Sequence, residues 1–256
     1  GPYGAGMQLR YAYRLTPTPA QRRALARAFG CARVVFNDAI AARRSAREAG
    51  VPFPTDGALS KALTAAKRTP ERAWLGEVSA VVLQQALAEA NTAYRNFFAS
   101  AIGRRKGPKM HAPRFRSRKD HRQAIRFTAN ARWQITSGGK LRLPKIGDVT
   151  VRWSRALPAA PSSVTVIVDA AARYFASFVV YATPEPLPQI QQAAGIDLGL
   201  THFAVLSDGR KIGSPRFLRR AEKKLKRAQR ALSRKEKGSR NRDKARVTVA
   251  RVHARV

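Results

Sequence analysis

The chain has 256 residues, and its 50 Lys and Arg outweigh 15 Asp and Glu to give a formal net charge of +35. A hydrophobic fraction of 44% is ordinary for a globular protein and excludes a disordered basic tail. Positive charge on this scale repels itself unless a polyanion neutralises it, which favours nucleic acid as the partner. A membrane surface is the alternative, but the sequence contains neither a long apolar span nor a compact amphipathic basic anchor.

The cysteine count limits the chemistry further. Cys31 is the only cysteine, so the sequence predicts no disulfide and no zinc site, and the cytoplasm is the expected compartment. Residues 1–6 resemble no signal peptide and are interpreted as a remnant before the natural start at Met7. The oligomeric state is not indicated.

The first predicted elements are a strand and a helix. Leu9 to Leu15 alternates apolar and polar residues, which predicts a strand. Thr18 and Pro19 then supply an N-cap and a first helical residue. Helical spacing of apolar residues follows, and it recurs near 59–67 and 79–98. We therefore predict a helical lobe with a basic connector over 16–122.

The connector itself, residues 103–122, is dense in Lys and Arg. Its Gly and Pro residues rule out a regular helix, and a solvated loop is the alternative to a binding segment. Because His111 and Phe115 are interleaved and no acid precedes Asp120, phosphate contact is favoured. The candidate contacts are Arg104, Arg105, Lys106, Lys109, Arg114, Arg116, Arg118 and Lys119.

Beyond the connector the apolar period falls to two, which predicts a series of strands. The stretches are 125–127, 133–135, 141–143, 149–153, 164–168 and 174–181, with a hairpin turn at 137–140. These strands form a small barrel that the N-terminal strand is expected to join, so the barrel comprises 7–15 plus 123–183. The helical lobe is then an insertion into it, and the fold class is α+β with several domains.

A proline-rich linker over 184–192 precedes a last domain over 193–256. There Gly195-Ile196-Asp197-Leu198-Gly199 places a carboxylate after an apolar stretch, as an RNase H-like nuclease begins. Such a nuclease holds divalent cations with several carboxylates, so Asp197 is the candidate catalytic residue and Mg²⁺ ligand. The alternatives are an actin-like ATPase and an Asp that only caps a turn.

The segment 216–246 is the second concentration of positive charge. Leu218, Leu225, Ala228 and Leu232 form an apolar seam, which predicts a long helix or a helical hairpin that bends at 235–239. A solvated coiled coil is the alternative, but the segment has too few acidic residues to pair its cations, which favours a groove that faces nucleic acid. The candidate contacts are Arg219, Lys223, Lys226, Arg227, Arg230 and Arg234.

Several collinear motifs carry a family resemblance from about Leu9 to Val256. The chain resembles the TnpB family of transposon-encoded, RNA-guided DNA endonucleases, which are related to type V CRISPR effectors. The matching stretches are Arg-Leu-Thr-Pro-Thr-Pro-Ala-Gln at 14–21, Cys-Ala-Arg-Val-Val-Phe-Asn at 31–37, Trp-Leu at 74–75, Ala-Tyr-Arg-Asn-Phe-Phe at 93–98, Pro-Arg-Phe-Arg at 113–116, 143–147, Gly-Ile-Asp-Leu-Gly at 195–199, 232–235, 237–239 and 249–253.

The resemblance implies a wedge-type β-barrel with an inserted recognition lobe, followed by the first part of a RuvC-like nuclease domain. It also implies a guide RNA from the transposon end, double-stranded target DNA and Mg²⁺-dependent cleavage beside a short motif. By position in the family pattern, Ser60, Thr64 and Lys67 would read that motif, with Thr128 nearby.

The C-terminus departs from the family pattern. The further catalytic Glu and Asp and a Cys-rich module do not appear before Val256, so this chain is expected to bind target DNA without cutting it. A nuclease-inactive, RNA-guided repressor is one alternative. A basic RNA chaperone is another.

Overall fold

The structure is a computed structural model that describes residues 6–120, 122–182, 215–235 and 237–254, and only the backbone of 215–218. The chain divides into two compact units. One comprises Gln8–Val168 and Tyr174–Tyr181, and the other includes the turn Asp169–Arg173 and the helices after 214. The predicted domain boundaries stay predictions.

The larger unit is built on one seven-stranded sheet. Its strands are β1 (Met7–Thr16), β2 (Gln123–Phe127), β3 (Gln134–Ile135), β4 (Leu141–Leu143), β5 (Gly147–Arg152), β6 (Ser163–Val168) and β7 (Tyr174–Ala182). They follow the order β2-β6-β7-β1-β5-β4-β3, and the pairs β1–β5, β2–β6 and β6–β7 are antiparallel. The N-terminal strand lies in the middle of this sheet, which confirms that it joins the later strands.

The sheet curls into a half-barrel, so the α+β class is confirmed in this coarser form. Burial alternates along the strands, so that one face of the sheet lines the core: Tyr13 and Leu15 of β1 are buried, whereas their neighbours Arg14 and Thr16 are exposed. A RuvC-like domain would begin at 193, and residues 193–214, which include Asp197, lie outside the described residues.

Three helices pack beside the sheet: α1 (Pro19–Glu48), α2 (Asp56–Ala66) and α3 (Ala80–Ala101). The helix α1 starts with a capping box, in which the Thr18 side chain accepts from the Gln21 backbone and the Gln21 side chain accepts from Thr18. A 3₁₀ turn, Ala73–Glu77, leads into α3.

Helices and sheet share a single hydrophobic core. Leu25 of α1, Leu83 of α3, Phe127 of β2 and Val164 of β6 are completely buried in the same cluster. The inserted helices are therefore stabilised by the sheet, because each buries its apolar stripe against it or against its neighbour.

The smaller unit contains a helical hairpin of α4 (Pro215–Ser233) and α5 (Arg240–Ala254), which confirms the predicted bend. Leu225, Ala228 and Leu232 are its half-buried seam. Arg242 closes the bend, since its guanidinium Nη1 donates to the carbonyl oxygens of Lys235 at 2.8 Å and Leu232 at 3.4 Å. Among the described helices, none is long and apolar enough to cross a membrane.

Candidate nucleic-acid interface

The basic connector is irregular, as predicted, but its residues 113–116 are fixed to α1. The Asn37 amide bonds the backbone of Arg116 in both directions: Nδ2 donates to the carbonyl at 2.9 Å, and Oδ1 accepts from the N–H at 2.8 Å. Arg44 Nη2 donates to the Pro113 carbonyl at 3.2 Å, and Arg44 Cζ lies 4.3 Å from the centre of the Phe115 ring. One α-helix thus fixes the path of residues 113–116.

The Arg116 side chain is already engaged within the protein. Its guanidinium lies 3.8 Å from the centre of the Phe36 ring, and its Nη1 lies 2.9 Å from Glu89 Oε2. A phosphate would have to compete with both contacts, so the predicted role of Arg116 in binding phosphate stays a prediction.

The other candidate cations of the connector face solvent. The connector leaves α3 through a tight turn in which the backbone N–H groups of Arg104 and Arg105 both donate to the Ala99 carbonyl. Met110 is held by its N–H, which donates to Ser100 Oγ at 2.9 Å. Between and beyond these fixed points lie seven exposed cations: Arg104, Arg105, Lys106, Lys109, Arg114, Arg118 and Lys119.

The structure places three of the predicted motif-reading residues at α2. Ser60 is half-buried and its hydroxyl donates to Gln84 Oε1 of α3 at 3.3 Å, while the exposed Thr64 bonds the Ser60 carbonyl. Lys67 follows the last residue of α2 and is half-buried. Sequence reasoning missed Gln84, although Gln84 and Gln85 are a polar pair within an otherwise apolar run.

Thr128 lies on a different element, at the end of β2. Its Oγ1 donates to Asn130 Oδ1 at 3.0 Å, and it precedes a short 3₁₀ turn, Ala129–Ala131. Its neighbour Phe127 lines a small cleft with Ser79 and Val82 of the α3 start. The end of β2 therefore lies against the same helix that contacts Ser60.

A partly buried charge network links the start of α2 to α1 and α3. Arg43 is 5% exposed, and its Nη2 donates to Asn91 Oδ1 at 2.7 Å and to Asp56 Oδ1 at 3.3 Å. Arg95 Nη1 reaches the other Asp56 oxygen at 2.7 Å. Burial lowers the pKa of Arg43, and the Asp56 carboxylate opposes that effect. Asp56 thus connects the first residue of α2 to both neighbouring helices, although its side chain is 54% exposed.

In the hairpin, the predicted contact residues form an exposed basic surface. All of them are solvent-exposed on α4 or just after it, while Ala221 and the seam residues turn inward. They are Arg219, Lys223, Lys226, Arg227, Arg230 and Arg234.

Comparison with known proteins decides the family. Residues 166–256 match the family described as "Probable transposase", OrfB of the IS605 type, and residues 7–51 match the "Helix-turn-helix domain" of the same OrfB group. The chain belongs to this OrfB transposase family.

Two curated relatives extend this match over nearly the whole chain. One is named "Putative RNA-guided DNA endonuclease", from Streptomyces pristinaespiralis, and is 43% identical over 250 residues, covering 96% of this chain and 60% of the relative. The InsQ protein of Escherichia coli K12, which carries the same description, is 30% identical over 244 residues, covering 95% of this chain and 58% of the relative. The chain thus spans about 60% of the length of these relatives.

Residues 7–51 match a domain that is described as helix-turn-helix, but they do not form a helix-turn-helix in this structure. Within 7–51, the described residues form the strand β1 and one uninterrupted helix, α1, of 30 residues. No turn separates two helices in that part, so the DNA-reading geometry of a helix-turn-helix motif is not available to it.

The predicted catalytic residue of the OrfB chain, Asp197, lies outside the described residues. Within the described parts, no group of three or more His, Cys, Asp or Glu side chains could hold a metal ion. Mg²⁺ binding therefore stays a prediction that rests on Asp197, and no chemical step is derived through the metal.

Proposed function

We propose that this OrfB-family chain acts in RNA-guided DNA cleavage for a transposable element. It binds a guide RNA derived from the transposon end and engages double-stranded target DNA beside a short motif. The observation that carries this proposal is the connector: seven exposed cations lie on a segment that Asn37, Arg44 and Ser100 fix to the helical bundle. The names of the curated relatives support the same activity.

The chemistry of the connector suits backbone recognition. Exposed Lys and Arg neutralise phosphates without reading bases, and a fixed path sets their register along a nucleic acid. A guided nuclease needs this kind of contact, because base pairing by the guide supplies the sequence specificity. The exposed cations of α4 would serve the same purpose.

The α2 helix is the proposed motif-reading element. Ser60, Thr64 and Lys67 offer hydroxyl and ammonium groups, and Gln84 adds an amide beside Ser60. The Asp56 contacts support this proposal, because they attach the start of α2 to α1 and α3. Base recognition requires side chains that are held in place by their surroundings. Thr128 is proposed as a neighbouring contact from the end of β2.

Asp197 is the proposed catalytic carboxylate and Mg²⁺ ligand. A carboxylate after an apolar strand pattern is the donor that Mg²⁺ prefers, and the metal would assist phosphodiester hydrolysis. In a longer form of the protein that also carries the further catalytic Glu and Asp, Asp197→Ala is expected to abolish DNA cleavage and leave RNA and target binding intact. Residues 1–256 alone are expected to bind without cutting.

Co-expression with the transposon-end RNA tests the proposal. The purified protein is expected to carry RNA of one defined sequence, identified by sequencing, and to bind duplex DNA that matches the guide. RNA of random sequence would instead favour a chaperone, and DNA binding without cleavage by the longest natural form would favour a repressor.

Lys67→Ala separates motif reading from RNA binding. It should weaken binding to a motif-bearing target by about 1–3 kcal/mol, with unchanged RNA affinity. Lys61→Ala, at an exposed position of the same helix, is the matched control. If Lys67→Ala changes RNA affinity and leaves motif preference unchanged, α2 is not the reading element.

A further inference from the structure

Four large apolar side chains are exposed together at one end of the helical bundle. They are Val51 at 53%, Phe53 at 39%, Phe98 at 42% and Ile102 at 65% exposure, and we call them the stacking patch. Phe53 and Phe98 are in contact, with 5.4 Å between ring centroids. Ile102 lies one helical turn after Phe98, whose carbonyl accepts its N–H at 3.1 Å.

The rings of the patch are held in place from below. Tyr94 is buried, with its ring centroid 6.2 Å from that of Phe53 and 6.0 Å from that of Phe98. Phe97 flanks Phe98 at 5.4 Å, and the buried Arg43 guanidinium lies 5.0 Å from the Tyr94 ring centre. The exposed rings therefore rest on a rigid aromatic layer and lose little freedom when a flat ligand covers them.

The exposure of the stacking patch to solvent is unfavourable and therefore points to a partner. Isolated apolar residues on a surface are ordinary, but contiguous ones mark a place where a partner binds. The helices already bury Leu83 and Leu25 completely in the core that they share with the sheet, and the patch lies outside that fully buried set.

The charges around the patch select the partner. Arg95 precedes Phe98 by one turn, and Arg104 and Arg105 follow Ile102 after Gly103; all three arginines are exposed. The nearby Asp56 carboxylate is neutralised by two guanidiniums, at 3.3 Å from Arg43 and 2.7 Å from Arg95. An aromatic surface that is followed by the exposed cations Arg104 and Arg105, and whose nearby carboxylate is already paired, fits a polyanion that carries flat rings.

We propose that the stacking patch binds unpaired nucleobases of RNA, with Phe53 and Phe98 as the stacking surfaces and Arg104 and Arg105 on the adjoining phosphates. This proposal rests on the proposed RNA binding, but it requires neither guidance by the RNA nor DNA cleavage. The patch supplies base contacts, which the connector's cations alone do not.

The test compares a single-stranded RNA of about ten nucleotides with an abasic chain of the same length and charge. Because both carry the same phosphates, the ratio of their affinities reports base contacts alone. The variants are Phe98→Leu, which keeps apolar volume but removes the ring, and Phe98→Trp, which keeps a ring. Tyr181→Leu, an aromatic residue 59% exposed on β7, is the matched control.

The unaltered chain should prefer RNA over the abasic chain, and Phe98→Leu should reduce that preference about fivefold or more, the lower end for one base stacked on an aromatic ring. Phe98→Trp should retain the preference, as should Tyr181→Leu. If Phe98→Leu and the unaltered chain prefer RNA over the abasic chain equally, the patch does not stack bases, and the proposed RNA binding is unaffected.

Two other outcomes also overturn the proposal. If the unaltered chain binds neither probe, the proposed RNA binding fails together with the patch. If Phe98→Leu leaves the RNA preference intact but shifts the molar mass in light scattering, the patch is a protein–protein contact. Thermal unfolding of each variant shows that it is folded under the binding conditions.

Discussion

Two arginines of the same connector have different roles in the structure. Arg105 is exposed, whereas Arg116 is ion-paired with Glu89 and stacked on Phe36. Both partners of the ion pair are about two-fifths exposed, so the pair adds at most about 1 kcal/mol, and the ring contact about 0.5–1 kcal/mol. The difference between the two residues lies in these contacts, since their charge is the same.

Alanine at each position should separate these roles. Arg116→Ala is expected to lower the free energy of unfolding by about 1 kcal/mol. Arg105→Ala is expected to leave stability unchanged and to reduce the slope of log affinity for RNA against log salt by about one. Urea unfolding and salt titrations of RNA binding measure both quantities. A larger stability loss for Arg105→Ala than for Arg116→Ala would contradict this assignment.

Asp169 makes stability depend on pH in the acid range. Its carboxylate accepts from the backbone N–H groups of Ala171 at 3.0 Å and Arg173 at 2.9 Å, and from Arg173 Nε at 2.8 Å. Burial raises the pKa of Asp169, but the hydrogen bonds from Arg173 and Ala171 outweigh it and hold the pKa below its ordinary value. The resulting stability is complete above the unfolded-state pKa and is lost as pH falls through the lower folded-state pKa.

Asp169→Asn should therefore cost roughly 1–3 kcal/mol at neutral pH, the range for hydrogen bonds to a charged group. The difference from the unaltered chain should shrink as the pH falls below about 4. Urea unfolding over a pH series measures it, with Glu71→Gln at an exposed position as the control. A difference that is independent of pH would exclude the carboxylate charge as its origin.

At the scale of elements, one arginine caps the bend between α4 and α5. Arg242 Nη1 bonds two carbonyls at the end of α4, while its own N–H donates to Ser239 Oγ at 3.1 Å at the start of α5. One residue thus satisfies groups at both helix ends that would otherwise need water.

Arg242→Ala should weaken the hairpin by about 1–2 kcal/mol, because a charge-assisted cap is lost. Amide hydrogen exchange near 232–243 should become faster, with little change in β1–β7. Lys244→Ala removes the same charge at an exposed position of α5 and should leave exchange unaltered. Equal effects of the two variants would mean that charge alone, not the cap, matters.

At the scale of the whole molecule, the shared core couples helices and sheet. Leu83 on α3 is completely buried in the cluster that also contains Phe127 and Val164 of the sheet. Loss of packing in the helices should therefore also destabilise the strands.

Leu83→Ala is expected to lower the free energy of unfolding by about 2–5 kcal/mol. Far-UV circular dichroism and the fluorescence of Trp133 and Trp153, which pack against this core, should report the same shifted midpoint. Val51→Ala, at a position 53% exposed, should change the midpoint little. Separate midpoints for the two probes would show that helices and sheet unfold independently.

The local elements of this protein follow from its sequence. The period of the apolar residues predicted the strand Leu141–Leu143 and a long helix or helical hairpin with a bend at 235–239, of which the structure shows the hairpin. That β1 joins the later strands was expected because the helical region offers it no partner strand, whereas its central place was shown only by the structure. Periodicity succeeds here because one-sided burial repeats every two residues in a strand and about every 3.6 in a helix. The collinear motifs likewise identified the family.

The partners of individual side chains were decided only by the tertiary structure. Nothing local distinguishes Arg116 from Arg105, because Asn37, which holds the Arg116 backbone, is 79 residues away. Arg43 and Asn91 meet across 48 residues, and Gln84 comes beside Ser60 only when α2 packs on α3. A side chain's charge and size are written in the sequence, but its contacts depend on which distant element the shared core brings against it.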